Sequence, residues 1–209
     1  MEKLDPAGRL TWAHVYQAGL EGSDIYQIRQ TADGGYIAAG AFTDVGQNTG
    51  ALLLKLDSAG NVQWQKDLGP AGSTTQASFN SVQQSSDGGY VAAGNYYTPT
   101  SGPAPTQVLV ARFGADGSLA WQHGFATVGA SGTPTSVADA SSIIQTPDGG
   151  YAVAGRWFDQ TFNGGTGRRV PCCSSSMPAA PSNGRRPTPA RCTAPATAAP
   201  RRPARPSPR

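Results

Sequence analysis

Over residues 1–163 the chain runs as short stretches of alternating or apolar residues, separated by turn residues. The segment from Ser81 to Gln122 shows the pattern. Ser81-Val82-Gln83-Gln84 alternates and runs into Ser86-Asp87-Gly88-Gly89, and residues 90–96 follow as small and aromatic residues. Residues 107–113 are β-branched and apolar, and Ala115-Asp116-Gly117 leads into Ser118-Leu119-Ala120-Trp121-Gln122. Period-two alternation predicts strands. Asp-Gly and Gly-Gly supply the positive-φ positions that tight hairpins need. The Ala and Gly of the second strand predict a crowded place where backbones approach closely. Four short strands follow one another, and the varied connection between the second and third, residues 98–106, holds three of the prolines.

This set of four recurs. Asp33-Gly34-Gly35-Tyr36-Ile37-Ala38-Ala39-Gly40 returns as Asp87 to Gly94 and again as Asp148 to Gly155, at spacings of 54 and 61. A second motif, Gly followed four residues later by Trp, appears at Gly8 and Trp12, Gly60 and Trp64, and Gly117 and Trp121, at spacings of 52 and 57. The two alternate in strict order, so one unit carries both. Four strands in a unit of roughly 50 residues predict the blade of a β-propeller. Lys3 to Trp12 aligns with Lys55 to Trp64, so the first unit begins part-way through, and the third unit breaks off near Asn163. The expectation is an incomplete blade set: a partial blade, two full units and a partial blade. Its end strands would be unpaired edges.

The motifs Gln30-Thr31-Ala32-Asp33-Gly34-Gly35-Tyr36 and Leu54-Lys55-Leu56-Asp57-Ser58-Ala59-Gly60-Asn61-Val62-Gln63-Trp64 resemble those of bacterial, uncharacterised propeller-like repeat proteins. The resemblance covers residues 1–160 and implies a fold and an extracytoplasmic setting more than an activity.

Charge divides the chain in two. Residues 1–164 hold all 13 acids against 7 bases, a net −6, and the rest holds 9 Arg and no acid. All three cysteines, Cys172, Cys173 and Cys192, lie in that second part. Residues 164–209 therefore read as a disordered Arg/Pro/Ala-rich tail. A second reading is favoured: read one base out of frame from Pro171, the codons permit Leu-Leu-Leu-Lys-Leu-Asp-Ala-Gly-Gly-Thr-Val-Gln-Trp, the counterpart of residues 52–64 without a gap. The hidden unit falls where the next one is due, which predicts a frameshift near codons 164–171. No run of 18 or more apolar residues predicts a membrane-spanning helix, and Met-Glu-Lys-Leu-Asp lacks the form of a signal peptide.

Candidate chemistry is weighed against the repeat. Cys172-Cys173 together with the Asp57-x-x-Gly60-x-x-x-Trp64 pattern are similar to quinoprotein features. The Asp-Gly-Gly-Tyr motif is foreign to that family, so no quinone site is assigned. Asp5, Asp57 and Asp116 offer one or two carboxyls per turn where calcium needs six or more oxygens, so they read as Asx-type turns, as do Asp33, Asp87 and Asp148. His14, Lys66 and His123 each follow a repeat Trp by two residues, which predicts a shared face open to solvent. Tyr36, Tyr90 and Tyr151, with Trp12, Trp64 and Trp121, recur in every unit, which favours packing between blades over an exposed carbohydrate platform. The Arg-rich tail could meet phosphates but lacks the interleaved aromatics of a single-strand binder. Nothing in the chain matches a nucleophile–base pair or a phosphate-binding loop.

The sequence thus predicts an all-β chain of propeller-type four-stranded blades, with no catalytic, cofactor or metal residues assigned. The expected role is a non-catalytic structural or interaction module, a fragment of a larger secreted or envelope repeat protein, meeting protein or carbohydrate through its blade loops. The alternative is a fragment of a propeller enzyme, hydrolase or quinoprotein-like, whose catalytic blades lie elsewhere.

Overall fold

A computed structural model describes residues 1–17, 22–46, 48–69, 76–97, 106–125, 136–159 and 170–173. All regular structure among them is β. β1 (Glu2–Leu4) and β2 (Leu10–Ala13) form a two-stranded sheet. β3 (Gly22–Gln30), β4 (Tyr36–Thr43), β5 (Thr49–Leu56) and β6 (Val62–Leu68) form a four-stranded one. β7 (Gln76–Gln84), β8 (Tyr90–Tyr97), β9 (Gln107–Phe113) and β10 (Leu119–Phe125) repeat it. β11 (Ser136–Gln145), β12 (Tyr151–Asp159) and β13 (Val170–Cys173) make the last sheet. Every pairing is antiparallel between chain neighbours. The four strands predicted for the middle unit are β7 to β10.

Val170–Cys173 falls in the stretch read as a disordered tail, yet it pairs with β12, with Gly155 opposite Cys172 and Ala154 opposite Cys173. Those are the places that Leu52 and Leu53 take opposite Gly40 and Ala39. β13 is the edge of its sheet, where a proline costs no ladder bond. The remainder of the predicted tail and of the shifted-frame repeat lies outside the described residues.

The hairpin turns take the form expected of Asp-Gly. Thr31 N–H donates to the Gly35 carbonyl and Gly34 N–H to the Thr31 carbonyl, each at 2.9 Å, with Gly34 at φ 81°. This is a type I turn closed by a left-handed glycine. The glycine ending each small-residue run has a different cause. The first strand of every unit carries a bulge, at Tyr26, Asn80 and Ser141. A Cβ on Gly40, beside that bulge, would stand 1.9 Å from the Asp24 carbonyl oxygen. Gly94 and Gly155 meet the same obstacle.

The core lies between sheets. Ile37, Ala39 and Leu53 on one face of the first four-stranded sheet pack on Phe79, Val82 and Phe113 of the next. Val91, Ala93 and Val110 on the opposite face of that sheet pack on Ala140, Ile143 and Val153. Both faces of the central sheet are covered, so β8 and β9 read as nearly unbroken apolar runs.

Candidate functional site

The repeat motifs converge at the end of the sheets where first and second strands turn. Each turn is tied to its own unit by a carboxylate. Asp33 accepts bonds from the Thr31 hydroxyl at 2.5 Å and the Gly35 N–H at 3.0 Å. Its other oxygen pairs at 2.8 Å with the Lys55 ammonium, whose side chain arrives from the third strand. Lys55 is 2% exposed; it also donates to the Leu56 carbonyl and the Gln63 side chain, each at 3.0 Å. Three acceptors satisfy the three ammonium donors, which is what lets a lysine be buried. In the next unit Arg112 takes this place, 8% exposed, and its Nη2 spans both Asp87 oxygens at 2.5 Å.

The swap of lysine for arginine leaves a mark. Thr31 and Thr146 donate to the carboxylates of their turns. Ser85, the equivalent in the middle unit, is 5% exposed and its Oγ has no partner among the described residues. Arg112 holds Asp87 by both oxygens, so the serine is left without its acceptor.

Glutamines join each turn to the next. Gln84 accepts the Ala32 N–H through Oε1 at 2.8 Å and donates through Nε2 to the Gly88 carbonyl at 3.2 Å. Gln145 accepts the Ser86 N–H at 2.9 Å. Deeper along the first strands, Gln27 Oε1 accepts Val82 N–H at 2.6 Å, Ser81 Oγ accepts Ile143 N–H at 3.2 Å, and Asn80 donates to the Ala140 carbonyl at 2.9 Å. Gln83, Ser85, Ser86, Gln145, Thr146 and Pro147 line a groove of about 580 Å³ at this end. Amides and hydroxyls share its wall with Ala32, Pro147 and two glycines, and no charged side chain lines it.

The residues singled out in the sequence fall elsewhere. Trp12, Trp64 and Trp121 stand edge-on to Tyr36, Tyr90 and Tyr151 of the following unit, with ring centroids 5.8, 5.6 and 5.8 Å apart. The aromatic sets therefore pack between sheets, as their recurrence predicted. His14, Lys66 and His123 do share a face, but it is the face toward the next unit. His14 and His123 lie 5.3 and 5.2 Å from their tryptophans, centroid to centroid. His14 covers Gly60 and Lys66 covers Gly117. The expectation of a solvated face is corrected for His14, which is half-buried.

The aspartates of the third-to-fourth turns are Asx caps. Asp57 Oδ1 accepts Ala59 N–H at 2.9 Å and Asn61 N–H at 2.8 Å, and Asp5 does the same for Ala7 and Arg9. Asp116 sits two places later in its turn, where Gly114 holds the Asp57 position, and it caps Ser118. Among the described residues no three carboxylate, imidazole or thiol groups gather as metal ligands would. The side chains of Cys172 and Cys173 lie outside the described set.

Hydrogen bonds hold these carboxyls below the ordinary range. For Asp33 the largest cause is Lys55, then Thr31 and the Gly35 N–H. For Asp57 it is the Asn61 side chain and for Asp148 the Thr146 hydroxyl. The glutamine ladder and the buried cations escaped the sequence reading. Their only signal was that Gln30, Gln84 and Gln145 each precede the turn aspartate by three residues, and that Lys3, Lys55 and Arg112 recur in phase. No known family pattern matches the chain, and a search of curated proteins finds no relative.

Proposed function

We propose that the stacked sheets are propeller-type blades, and that the chain serves as a non-catalytic structural or interaction module of a secreted or envelope repeat protein. The observation that carries this reading is what the repeat's ionisable groups do. Asp33 and Asp87 neutralise buried cations, and Asp5 and Asp57 cap turns. These are groups consumed by the scaffold, whereas catalytic carboxylates stand free toward a pocket. The groove of Gln83, Ser86, Gln145 and Thr146 suits a neutral hydrogen-bonding partner, such as a glycan or an extended peptide backbone.

The test is a paired screen of the purified chain. Chromogenic esters, phosphoesters and glycosides should give no turnover above a buffer blank. Glycan and peptide arrays should give binding that Ser86→Trp and Thr146→Trp abolish by filling the groove. Turnover lost in the groove variants would overturn the non-catalytic reading. Fractionation of cells expressing the intact parent gene should find its product outside the cytoplasm.

A further inference from the structure

We propose that the groove between the second and third hairpin turns holds a short extended peptide, bound through its main-chain carbonyl and N–H groups and not through charge. The inference rests on the module reading above and narrows its partner to one of the two classes named there.

The groove lies where the repeat is broken. Asp-Gly-Gly-Tyr, and the glutamine three places before it, recur in all three units. The positions around that glutamine do not. Gln83 stands where the other units have Arg29 and Ile144, and Ser85 where they have Thr31 and Thr146. Pro147 stands where they have Ala32 and Ser86. Gln83, Ser85, Ser86 and Pro147 all line the groove. Stacking of one unit on the next accounts for what every unit repeats; it does not call for these departures. The volume of about 580 Å³ falls within the roughly 300–1,000 Å³ of ligand sites.

The groups on the wall are those that a peptide backbone can use. Gln83 Oε1 accepts the Gln145 N–H at 2.9 Å. That donor is a backbone amide, so the side-chain oxygen must face it, and both N–H donors of Nε2 are left for another acceptor. The Ser86 N–H is taken by Gln145 Oε1 at 2.9 Å, but its side chain is exposed, and a hydroxyl both donates and accepts. Ser85 Oγ has no partner among the described residues. Pro147, also exposed, adds an apolar ring. An extended peptide meets all of these: its carbonyls take the amide donors, its N–H groups reach the hydroxyl oxygens, and one small side chain rests on Pro147 and Ala32. Main-chain hydrogen bonds supply the affinity where extended peptides are recognised, and pockets for side chains the specificity. A glycan fits less well. Sugar rings stack on aromatic side chains, and carboxylates fix their hydroxyls. The groove is lined by neither, and the tryptophans and tyrosines of these units are held between sheets.

The test is fluorescence polarisation of the full chain with fluorescein-labelled hexapeptides of randomised uncharged residues, beside labelled cellohexaose and maltohexaose. The peptides should bind with half-saturation between about 10 μM and 1 mM, as suits a small contact. Binding should be the same at low and high salt, since salt screens only charges. Methylating the peptide nitrogens should abolish it. Gln83→Glu keeps the oxygen that the Gln145 N–H needs and removes Nε2, and it should weaken binding by about tenfold; Ser86→Ala should weaken it by roughly threefold to tenfold. Melting curves check that each variant is folded, and Gln83→Met replaces Gln83→Glu if it is not. No peptide binding, saturation by the oligosaccharides instead, or peptide binding indifferent to N-methylation and to both substitutions overturns the inference. None of these results touches the non-catalytic reading, which falls only to turnover in the substrate screen.

Discussion

Lys55 and Asp33 show how burial decides the meaning of a residue. Lys55 is enclosed and Asp33 reaches it from a half-open turn. Removing the carboxylate strands an ammonium, whereas removing both groups leaves an ordinary apolar contact. Asp33→Asn should therefore cost about 2 kcal/mol in urea unfolding, less than a fully buried pair because Asp33 is half exposed and two other acceptors remain to Lys55. Adding Lys55→Met should recover most of the loss. Ser85 gives the reverse case. Its buried hydroxyl has no partner among the described residues, so Ser85→Ala should leave stability unchanged or raise it, whereas Thr31→Ala should cost about 1 kcal/mol. Calorimetry of the two variants side by side checks the contrast.

The same carboxylates set the acid limb. The pKa values of Asp33, Asp57 and Asp148 are depressed in the fold by their hydrogen bonds, so the unfolded chain binds protons more readily. Their stabilisation is complete above about pH 4, the ordinary carboxylate value, and is lost as pH falls through the lower folded-state values. Melting temperature measured from pH 6 to pH 2 should stay level and then fall below about pH 4. The fall should be shallower in Asp33→Asn, which has one such proton fewer to take up.

At the scale of the element, two kinds of glycine separate. Gly34 sits in a turn with open space around its missing Cβ, so Gly34→Ala meets only the left-handed backbone, a cost of about 1–2 kcal/mol. Gly40 faces a carbonyl oxygen that belongs to the backbone of β3. No side chain can swing aside there, so Gly40→Ala should cost more than Gly34→Ala and separate β3 from β4. Hydrogen exchange should find the added opening in the amides of β3. The tryptophans act between elements: Trp64→Ala removes a half-buried ring from the edge of Tyr90 and should cost about 3 kcal/mol, the lower part of the range for large-to-small changes.

For the whole molecule, cohesion comes from contacts that repeat from sheet to sheet. The Trp–Tyr pairs, the glutamine bonds and the apolar faces join each unit to the next, so each unit contacts chiefly its neighbours, as in other repeat architectures. An end unit keeps one uncovered face. That is where Ile28 and Ile144 lie exposed. Ile28→Asp should raise solubility if that face is sticky, and should cost little stability because the site is already wet; static light scattering and a melt check the two effects together.

The sequence by itself determined the units, their order and their turns, because these follow from local rules. Period-two alternation makes strands, Asp-Gly makes hairpins, and a motif repeated in phase must occupy the same place in each unit. It also favoured packing for the aromatics, since a binding site seldom recurs in every unit. Only the tertiary structure decided what lies between units. That Lys55 and Arg112 reach back over a turn, that Gln84 and Gln145 close on the turn before them, that His14 is covered, and that β13 pairs with β12 all depend on contacts between residues about 15 to 60 places apart. A side chain's own neighbours in sequence cannot specify such partners. They are fixed when backbones stack and burial leaves most polar groups only the donors or acceptors that the neighbouring sheet or turn presents.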